Sequence, residues 1–424
     1  MFKITAPEGM REEREYICFV LFTEMLRAPY TLELRSDCEK WTIADAGRSL
    51  SFDDSFLPLL KDKGLESSEI LPDQLISIDT EYGNICGLYG SGDSSGNTLG
   101  IDIFGSAFFM LTRIEEMQET VEDKHGRFQL KNSVAEKLGV YHRALVDDYT
   151  AFLASYFDLS KPERITELTH DIDYPYCYGL NSFTFKNTFA PAKRGDLQAV
   201  VRNIYDISTV IAGRKKDPFD RFDSFMDIAE EFGKRAVFFF MTGGKGEYDP
   251  PFNTKHDRRV KRIIEHVKER GHELGIHFSY NADIENLYRS EKDILENIVG
   301  AEITKSRNHF LRFSVPETWR KLEDAGISED YTCGFAEKPG YRCGTGKPYS
   351  VFDVEQRLML RLREHPLYLM DATVTSYMRY SEKRLFEYIE ESKATYGGGS
   401  LLWHNSSKLS ADTYYKTVSK IDRE

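Results

Sequence analysis

The sequence lacks three features that would each indicate a different class of protein. Its six cysteines are scattered without a CxxC pair, which excludes a zinc-finger pattern and a disulfide framework. No apolar run approaches the roughly 18 residues of a membrane-spanning helix, so no membrane span is expected. Positive charge is also in deficit, since 56 Lys and Arg residues face 69 Asp and Glu residues. The resulting net charge of -13 argues against a general affinity for nucleic acid or anionic lipid, but it does not exclude a local basic pocket.

The chain is long enough for two domains. At 424 residues, 41% of them hydrophobic, it can fill sizeable apolar cores. Short apolar runs between Gly and Ser clusters predict a smaller α+β domain over residues 1–158, and the boundary falls at Lys161-Pro162-Glu163. Within it, Ile101–Leu111 predicts a buried strand, a Gly turn and then a helix, with Asp102 as a buried capping acid. No catalytic cluster is evident in this first domain.

Residues 160–424 alternate strands with helices. Arg235–Met241 is a nearly unbroken apolar run, typical of a strand buried on both faces. The next segment, Arg258–Arg270, has apolar residues at helical spacing. Repeated strand–helix units predict a parallel sheet wrapped by helices, either a barrel or an open sheet. In both architectures functional sites form at the carboxyl ends of the strands. Five polar residues fall there: Asp171, Asp173, His277, Asp371 and His404.

The pair Asp171 and Asp173 lies in a short strand that stops before Pro175. Alternation along a strand places both carboxylates on one face, about 7 Å apart, where they repel unless a cation or a proton intervenes. Alone, the pair also fits two solvated turn aspartates. Together with strand-end imidazoles, however, it forms a ligand set for a divalent ion. A second Asp can then act as a base and a separate His as an acid.

Four stretches resemble the polysaccharide deacetylase family (carbohydrate esterase family four, NodB-like). They are Thr169–Asp173, Ala236–Phe240, Gly271–His277 and Leu401–His404, in the family's order. The resemblance implies a distorted (β/α) barrel and a divalent metal, often zinc, that serves to hydrolyse N- or O-acetyl groups on sugars. The first domain resembles an uncharacterised N-terminal module found on a branch of these proteins in surface-polysaccharide gene clusters.

The resemblance implies roles for individual residues. Asp171 matches the general base and Asp173 a metal ligand. His404 matches the His that protonates the leaving group, and Asp371 is a candidate to support it or to bind substrate. His277 matches the first His of the family's H-x-x-x-H metal motif.

The sequence departs from that motif at Asn281, which stands where the second His belongs. An amide oxygen is a poorer zinc ligand than an imidazole. Either Asn281 is a weak ligand or bystander and another residue completes the site, or the metal site is lost. In Arg307-Asn308-His309, Arg307 is predicted to brace the base. His309, two residues on, would share its strand face and is proposed as the third ligand.

Arg342 is a candidate for binding a substrate hydroxyl, carboxylate or phosphate. The remaining histidines are predicted to be structural or on the surface: His125, His142, His170, His256, His266, His272 and His365.

The predicted function is removal of acetyl groups from an amino sugar or glycan precursor by a metal-dependent hydrolase. Two alternatives stay open: a non-catalytic sugar-binding or scaffold protein that kept the fold, and another C–N hydrolysis such as deformylation. The N-terminal residues have no apolar core of signal length, so a cytoplasmic enzyme is expected, with nucleotide sugars, lipid-linked precursors or small glycans as substrates. No oligomeric state is predicted.

Overall fold

The computed structural model describes residues 1–118, 121–178, 182–244, 246–250 and 257–422. Within those ranges no helix has both the length and the apolar content needed to cross a bilayer. The first part of the chain is a mixed sheet packed against helices. Its elements are β1 (Phe2–Pro7), α1 (Arg11–Cys18), a π-helical turn (Phe19–Met25), β2 (Tyr30–Arg35), β3 (Lys40–Asp45), β4 (Arg48–Asp53), α2 (Phe56–Lys63), β5 (Ile76–Thr80), β6 (Gly83–Gly87), β7 (Thr98–Leu99), α3 (Ile103–Thr112), α4 (Val134–Lys137) and α5 (Leu145–Tyr156).

Five of these strands form one sheet in the order β2-β1-β3-β4-β7, and β5 and β6 form a separate hairpin. The α+β prediction for this part of the chain therefore matches the observed elements. The strand predicted within Ile101–Leu111 is absent, because β7 ends at Leu99 and Ile103 already begins helix α3. The capping prediction is confirmed, since the Asp102 carboxylate accepts a hydrogen bond from the Gly105 amide at 2.7 Å.

The second part of the chain consists of alternating strands and helices. These are β8 (Ile165–Ile172), α6 (Ser182–Phe189), α7 (Leu197–Ile211), α8 (Phe222–Glu231), β9 (Ala236–Met241), α9 (Arg258–Glu269), β10 (Glu273–Phe278), α10 (Tyr288–Val299), β11 (Lys305–Asn308), α11 (Glu317–Asp324), β12 (Glu329–Asp330), β13 (Tyr349–Asp353), β14 (Leu358–Glu364), β15 (Leu367–Met370), α12 (Glu382–Ser392), β16 (Gly398–Leu402) and α13 (Ala411–Asp422).

Nine strands form one curled sheet in the order β13-β14-β12-β11-β10-β9-β8-β16-β15. Neighbouring strands are parallel except for the antiparallel pair β13 and β14. The fold is thus a distorted (β/α) half barrel, which decides between the two architectures that the sequence allowed. The short strand β12 and the hairpin β13–β14 were not predicted.

The centre of the sheet follows from its residue types. All of β9 is buried, as its continuous apolar run predicted. On β10, a side chain at Gly275 would place its Cβ 2.4 Å from the Phe239 ring, so glycine leaves the space that this ring fills. The amphipathic helix α9 buries Val260, Ile264 and Val267 against the sheet.

The two parts of the chain share one apolar core, which includes residues from both. A buried ionic cluster also joins them: the Arg342 guanidinium donates to the Glu116 carboxylate at 2.8 and 2.5 Å, and Arg113 donates to the same carboxylate at 2.8 Å. Burial alone would raise the pKa of Glu116, but the two guanidinium groups hold it below its ordinary value. The division into residues 1–158 and 160–424 stays a prediction.

We expect Glu116→Ala to destabilise the protein by about 3–5 kcal/mol, because it leaves the buried Arg342 guanidinium without a carboxylate, whereas Arg113 keeps Glu115 at 2.6 Å. The matched control is Glu391→Ala, which removes the partner of Arg384 on the surface and should cost under about 1 kcal/mol. Urea unfolding followed by fluorescence measures both. Equal losses in the two variants would show that the buried cluster does not stabilise the contact between the two parts.

Candidate metal centre and catalytic site

Asp171 is held by an arginine that crosses the interior of the half barrel. The Arg307 Nη1 atom donates to Asp171 Oδ1 at 2.9 Å, although three strand-to-strand steps separate β11 from β8. In a flat sheet, three steps of about 4.8 Å would together exceed the length of an arginine side chain. The contact is therefore possible only because the sheet curls. Arg307 is fully buried, and its guanidinium lies over the Phe239 ring at 4.8 Å. The contact predicted for Arg307 is present.

Three side chains converge beside Asp171. Asp173, His277 and His309 each offer one ligand atom, and these atoms lie within 4.8 Å of one another. Asp173 Oδ1 and His277 Nε2 approach to 3.2 Å, yet both are buried and neither has a hydrogen-bond partner among the described residues. Buried polar atoms normally have partners, so two unpaired ones directed at the same space are what a cation site requires.

The two imidazoles are oriented by partners on their other nitrogen. His277 Nδ1 donates a hydrogen bond to the carbonyl oxygen of Arg307 at 2.9 Å. His309 Nδ1 lies 3.2 Å from Asp249 Oδ1. In each ring the Nε2 atom is then the nitrogen free to bind a metal, the arrangement that metal-binding histidines usually have. One carboxylate and two imidazoles fit a borderline divalent ion such as zinc.

The charges around Asp173 favour its ionised form. Burial alone would raise the pKa of this carboxyl, but His277, His309 and His404 outweigh that effect and hold the pKa well below its ordinary value. A carboxylate that stays ionised is available as a metal ligand.

Another pair in the lining of the same cavity is His404 with Asp371. His404 Nδ1 lies 2.6 Å from Asp371 Oδ1, which leaves its Nε2 as the nitrogen able to exchange a proton with a ligand. Burial opposes the charged imidazole, but Asp371 outweighs burial and raises the pKa of His404 to about 10. The imidazole is therefore protonated at neutral pH, as a general acid must be. Asp371 was a candidate to support His404 or to bind substrate, and the structure shows its contact with His404.

Asn281 lies outside the cluster. Its amide nitrogen donates to Glu285 at 3.2 Å, and its amide oxygen is 3.4 Å from Arg312 Nη1. His309 stands with Asp173 and His277 instead. It does not lie on the strand, as predicted, but begins a short helical turn just after β11. Phe310, the next residue, has φ +61°, a left-handed conformation that a large side chain seldom adopts outside constrained sites.

The structure removes Arg342 from the candidate substrate site. Its guanidinium is buried and bound to Glu116 and to the Gly334 carbonyl oxygen, so none of it faces the cavity beside Asp171. Among the histidines predicted to be structural or on the surface, His170 and His365 are buried in the fold. His125 lines the cavity, and His256 lies outside the described residues.

A cavity of about 610 Å³ contains the candidate catalytic groups. The first part of the chain supplies one wall of it through the turn Asp123–Arg127, of which Lys124 and His125 line the space. His125 Nδ1 lies 3.0 Å from the Tyr280 hydroxyl, and Arg127 Nη1 donates to the Phe310 carbonyl at 2.9 Å. The first part of the chain therefore shapes the site, a contribution that the sequence did not indicate.

Two contributors were missed because no local pattern marks them. Asp249 precedes His309 by sixty residues, and only folding brings its carboxylate to the imidazole. The sequence of Asp123–Arg127 is typical of a turn. Its contact with Phe310, however, joins residues more than 180 positions apart, which no local pattern indicates.

Comparisons with known proteins cover the two parts of the chain separately. A family of unknown function (DUF7033) matches residues 2–162. No curated protein matches the chain.

Solved structures resemble the second part. A protein of Mycobacterium smegmatis described as a polysaccharide deacetylase is 16% identical, with a TM-score of 0.39, over 62% of this chain and 87% of its own. A family 4 carbohydrate esterase from Streptomyces lividans is 8% identical, with a TM-score of 0.30, over 62% of this chain and 87% of its own. A CE4 family pseudoenzyme from Bacillus anthracis is 9% identical, with a TM-score of 0.32, over 61% of this chain and 60% of its own.

At these identities and TM-scores the likeness carries no argument about this chain. The parallel half barrel and its strand-end Asp and His residues agree with the fold that the sequence resemblance implied.

We expect His309→Ala to lose the bound metal and Asn281→Ala to keep it, because only His309 lies in the cluster. Asp249→Asn should weaken zinc affinity by about 10–100-fold, since it removes the group that orients His309. Metal stoichiometry after dialysis and competition with a chromogenic chelator measure these effects without any substrate. Full metal in His309→Ala together with loss in Asn281→Ala would reverse the assignment.

Proposed function

We propose that this protein is a metal-dependent hydrolase that removes acetyl groups from an amino sugar or a glycan precursor, in surface polysaccharide biosynthesis. The observation that carries the proposal is the arrangement around one cavity: an arginine-held carboxylate, a protonated imidazole and the cluster of Asp173, His277 and His309. A binding protein has no need of both a base and an acid beside a metal site.

The three clustered residues would hold the metal, for which we propose zinc. When bound, such an ion polarises a carbonyl and lowers the pKa of water. Asp171 is positioned to accept a proton from the attacking water: Arg307 fixes its Oδ1, and its Oδ2 lies 3.7 Å from His277 Nε2, next to the cluster. His404 is positioned to deliver a proton to the leaving nitrogen or oxygen. The C–N or C–O bond breaks, and acetate and the free amine or hydroxyl are the products.

The cavity accommodates a sugar residue. Its volume of about 610 Å³ is within the range of small-molecule sites, and Phe310 and Tyr377 provide ring surfaces on its wall. We also propose a cytoplasmic location, which the unpaired state of the six cysteines supports.

We expect the zinc-loaded wild type to release acetate from one or more members of a panel of acetylated amino sugars. Asp171→Asn should reduce kcat by about 100-fold or more, because it removes the base while leaving a side chain that fits the same space. A chelator should abolish release and added zinc should restore it. Coupled detection of acetate measures the rate, with Asp412→Asn on the surface as the matched control.

If wild type and Asp171→Asn release equal acetate from every substrate, the hydrolase proposal fails in favour of a non-catalytic sugar-binding protein. Release of formate in place of acetate would identify a deformylase.

The pH dependence of the reaction should follow from the pairing of His404 with Asp371. Asp371 is the main cause of the raised pKa of His404, so Asp371→Asn should lower that pKa toward the ordinary imidazole value of about 6.5. A general acid works only below its pKa. The alkaline limb of the kcat/KM profile should therefore move down by about one pH unit or more in the variant. An unchanged alkaline limb would mean that another group sets it and that Asp371 has only a structural role.

A further inference from the structure

A hairpin of two helices leaves its second helix exposed along most of its length, with Val200 as the one residue of that helix that is buried. It spans residues 182–216 and contains α6, a 3-10 turn over Ala190–Arg194, and α7; we refer to it as the projecting hairpin. Within α7, Leu197, Val201, Ile204, Tyr205 and Ile211 are 47% to 67% exposed. These positions are spaced by four, three, one and six residues, so they form one apolar stripe along the helix. By contrast, α9 has a similar stripe and buries it.

The projecting hairpin is also basic within an acidic chain. It contains seven Lys and Arg residues and two Asp residues, whereas the whole chain has a net charge of -13. Arg194, Arg202 and Arg214 are all exposed. An exposed apolar stripe rimmed by cations suits a surface that is both apolar and anionic.

The hairpin is rooted at the candidate catalytic site. The chain leaves the sheet at the end of β8, next to Asp173, and the Asn405 amide donates to the carbonyl oxygens of Tyr174 at 2.8 Å and Phe219 at 3.1 Å, which flank the hairpin in the sequence. Asn405 directly follows His404. The Asp217 carboxylate accepts from the amides of Cys177 at 2.8 Å and Tyr178 at 3.0 Å, which closes the base of the hairpin.

We propose that the projecting hairpin binds the surface of an anionic phospholipid bilayer, with the α7 stripe at the level of the headgroups and the basic residues facing lipid phosphates. Charge complementarity favours this occupant over a second copy of the chain, because a symmetric contact would bring two basic hairpins together. If the proposed function holds, the cavity would work at a membrane surface, where lipid-linked glycans are substrates within reach.

The test is co-sedimentation of the full-length protein with vesicles of phosphatidylcholine containing one-third phosphatidylglycerol, and with vesicles of phosphatidylcholine alone. Wild type should bind the anionic vesicles, and binding should fall as salt rises. Arg194→Gln with Arg202→Gln should weaken binding by about 10–30-fold. Val201→Ser with Tyr205→Ser should weaken it by about tenfold.

Matched controls are exposed residues outside the hairpin. Arg361→Gln with Lys383→Gln and Ile284→Ser with Leu358→Ser should each change vesicle binding by less than about twofold. No binding of wild type at low salt, or equal binding by the hairpin variants, overturns the proposal. A dimer seen by light scattering that Val201→Ser with Tyr205→Ser abolishes, without vesicle binding, would instead assign the stripe to a second copy. Asp171→Asn protein should bind vesicles like wild type, so this outcome is independent of whether the enzyme proposal succeeds.

Discussion

The site depends on one buried arginine. Arg307 donates through its guanidinium to Asp171 Oδ1, Thr169 Oγ1 and the Tyr331 carbonyl oxygen, at 2.9 Å in each case. Its own carbonyl oxygen accepts from His277 Nδ1. One residue therefore orients both the carboxylate proposed as the base and an imidazole proposed as a ligand. A guanidinium at this depth is stable only with such partners, because the desolvation of an unpaired buried charge costs several kcal/mol. The dependence runs in both directions: the arginine orients the site, and the site supplies acceptors for its Nε and Nη1 atoms, while Nη2 is buried without a hydrogen-bond partner among the described residues.

Hydrogen bonds from the surrounding fold also orient the imidazoles of the candidate metal cluster. Each imidazole donates a hydrogen bond from Nδ1 to an acceptor supplied by the fold, a backbone carbonyl oxygen for His277 and the Asp249 carboxylate for His309. His404 has a similar partner in Asp371 but a different position, beyond the end of β16 and outside the ligand cluster. Similar side chains thus acquire different surroundings: two imidazoles lie in the ligand cluster, and the third is paired with Asp371 outside it.

Sequence reasoning found the residues whose placement is set by local rules. Strand alternation puts Asp171 and Asp173 on one face, and the carboxyl-end rule for parallel strands collects His277 and His404 at the same edge. It failed where placement depends on packing between distant segments. Arg342 follows a Gly-Tyr pair in a polar stretch, a pattern that suggests an accessible side chain. It is instead buried and paired with Glu116, which lies more than 200 residues earlier in the sequence. Asp249 and the turn Asp123–Arg127 reach the cavity in the same way, through contacts that no local pattern encodes.

The departure at Asn281 shows what a metal site constrains. A metal ligand must bring a lone pair to a point in space, and the position in the sequence from which it comes is free to vary. In the H-x-x-x-H pattern the second imidazole would come from the segment after β10, but here Asn281 is turned toward Glu285 and Arg312. The neighbouring strand ends at the same edge, and the helical turn that begins at His309 brings an imidazole to the cluster. The left-handed Phe310 backbone, held by Arg127 from the first part of the chain, fixes that turn. The first part of the chain is therefore in direct contact with the turn that carries His309, so the position of this imidazole depends on both parts of the chain.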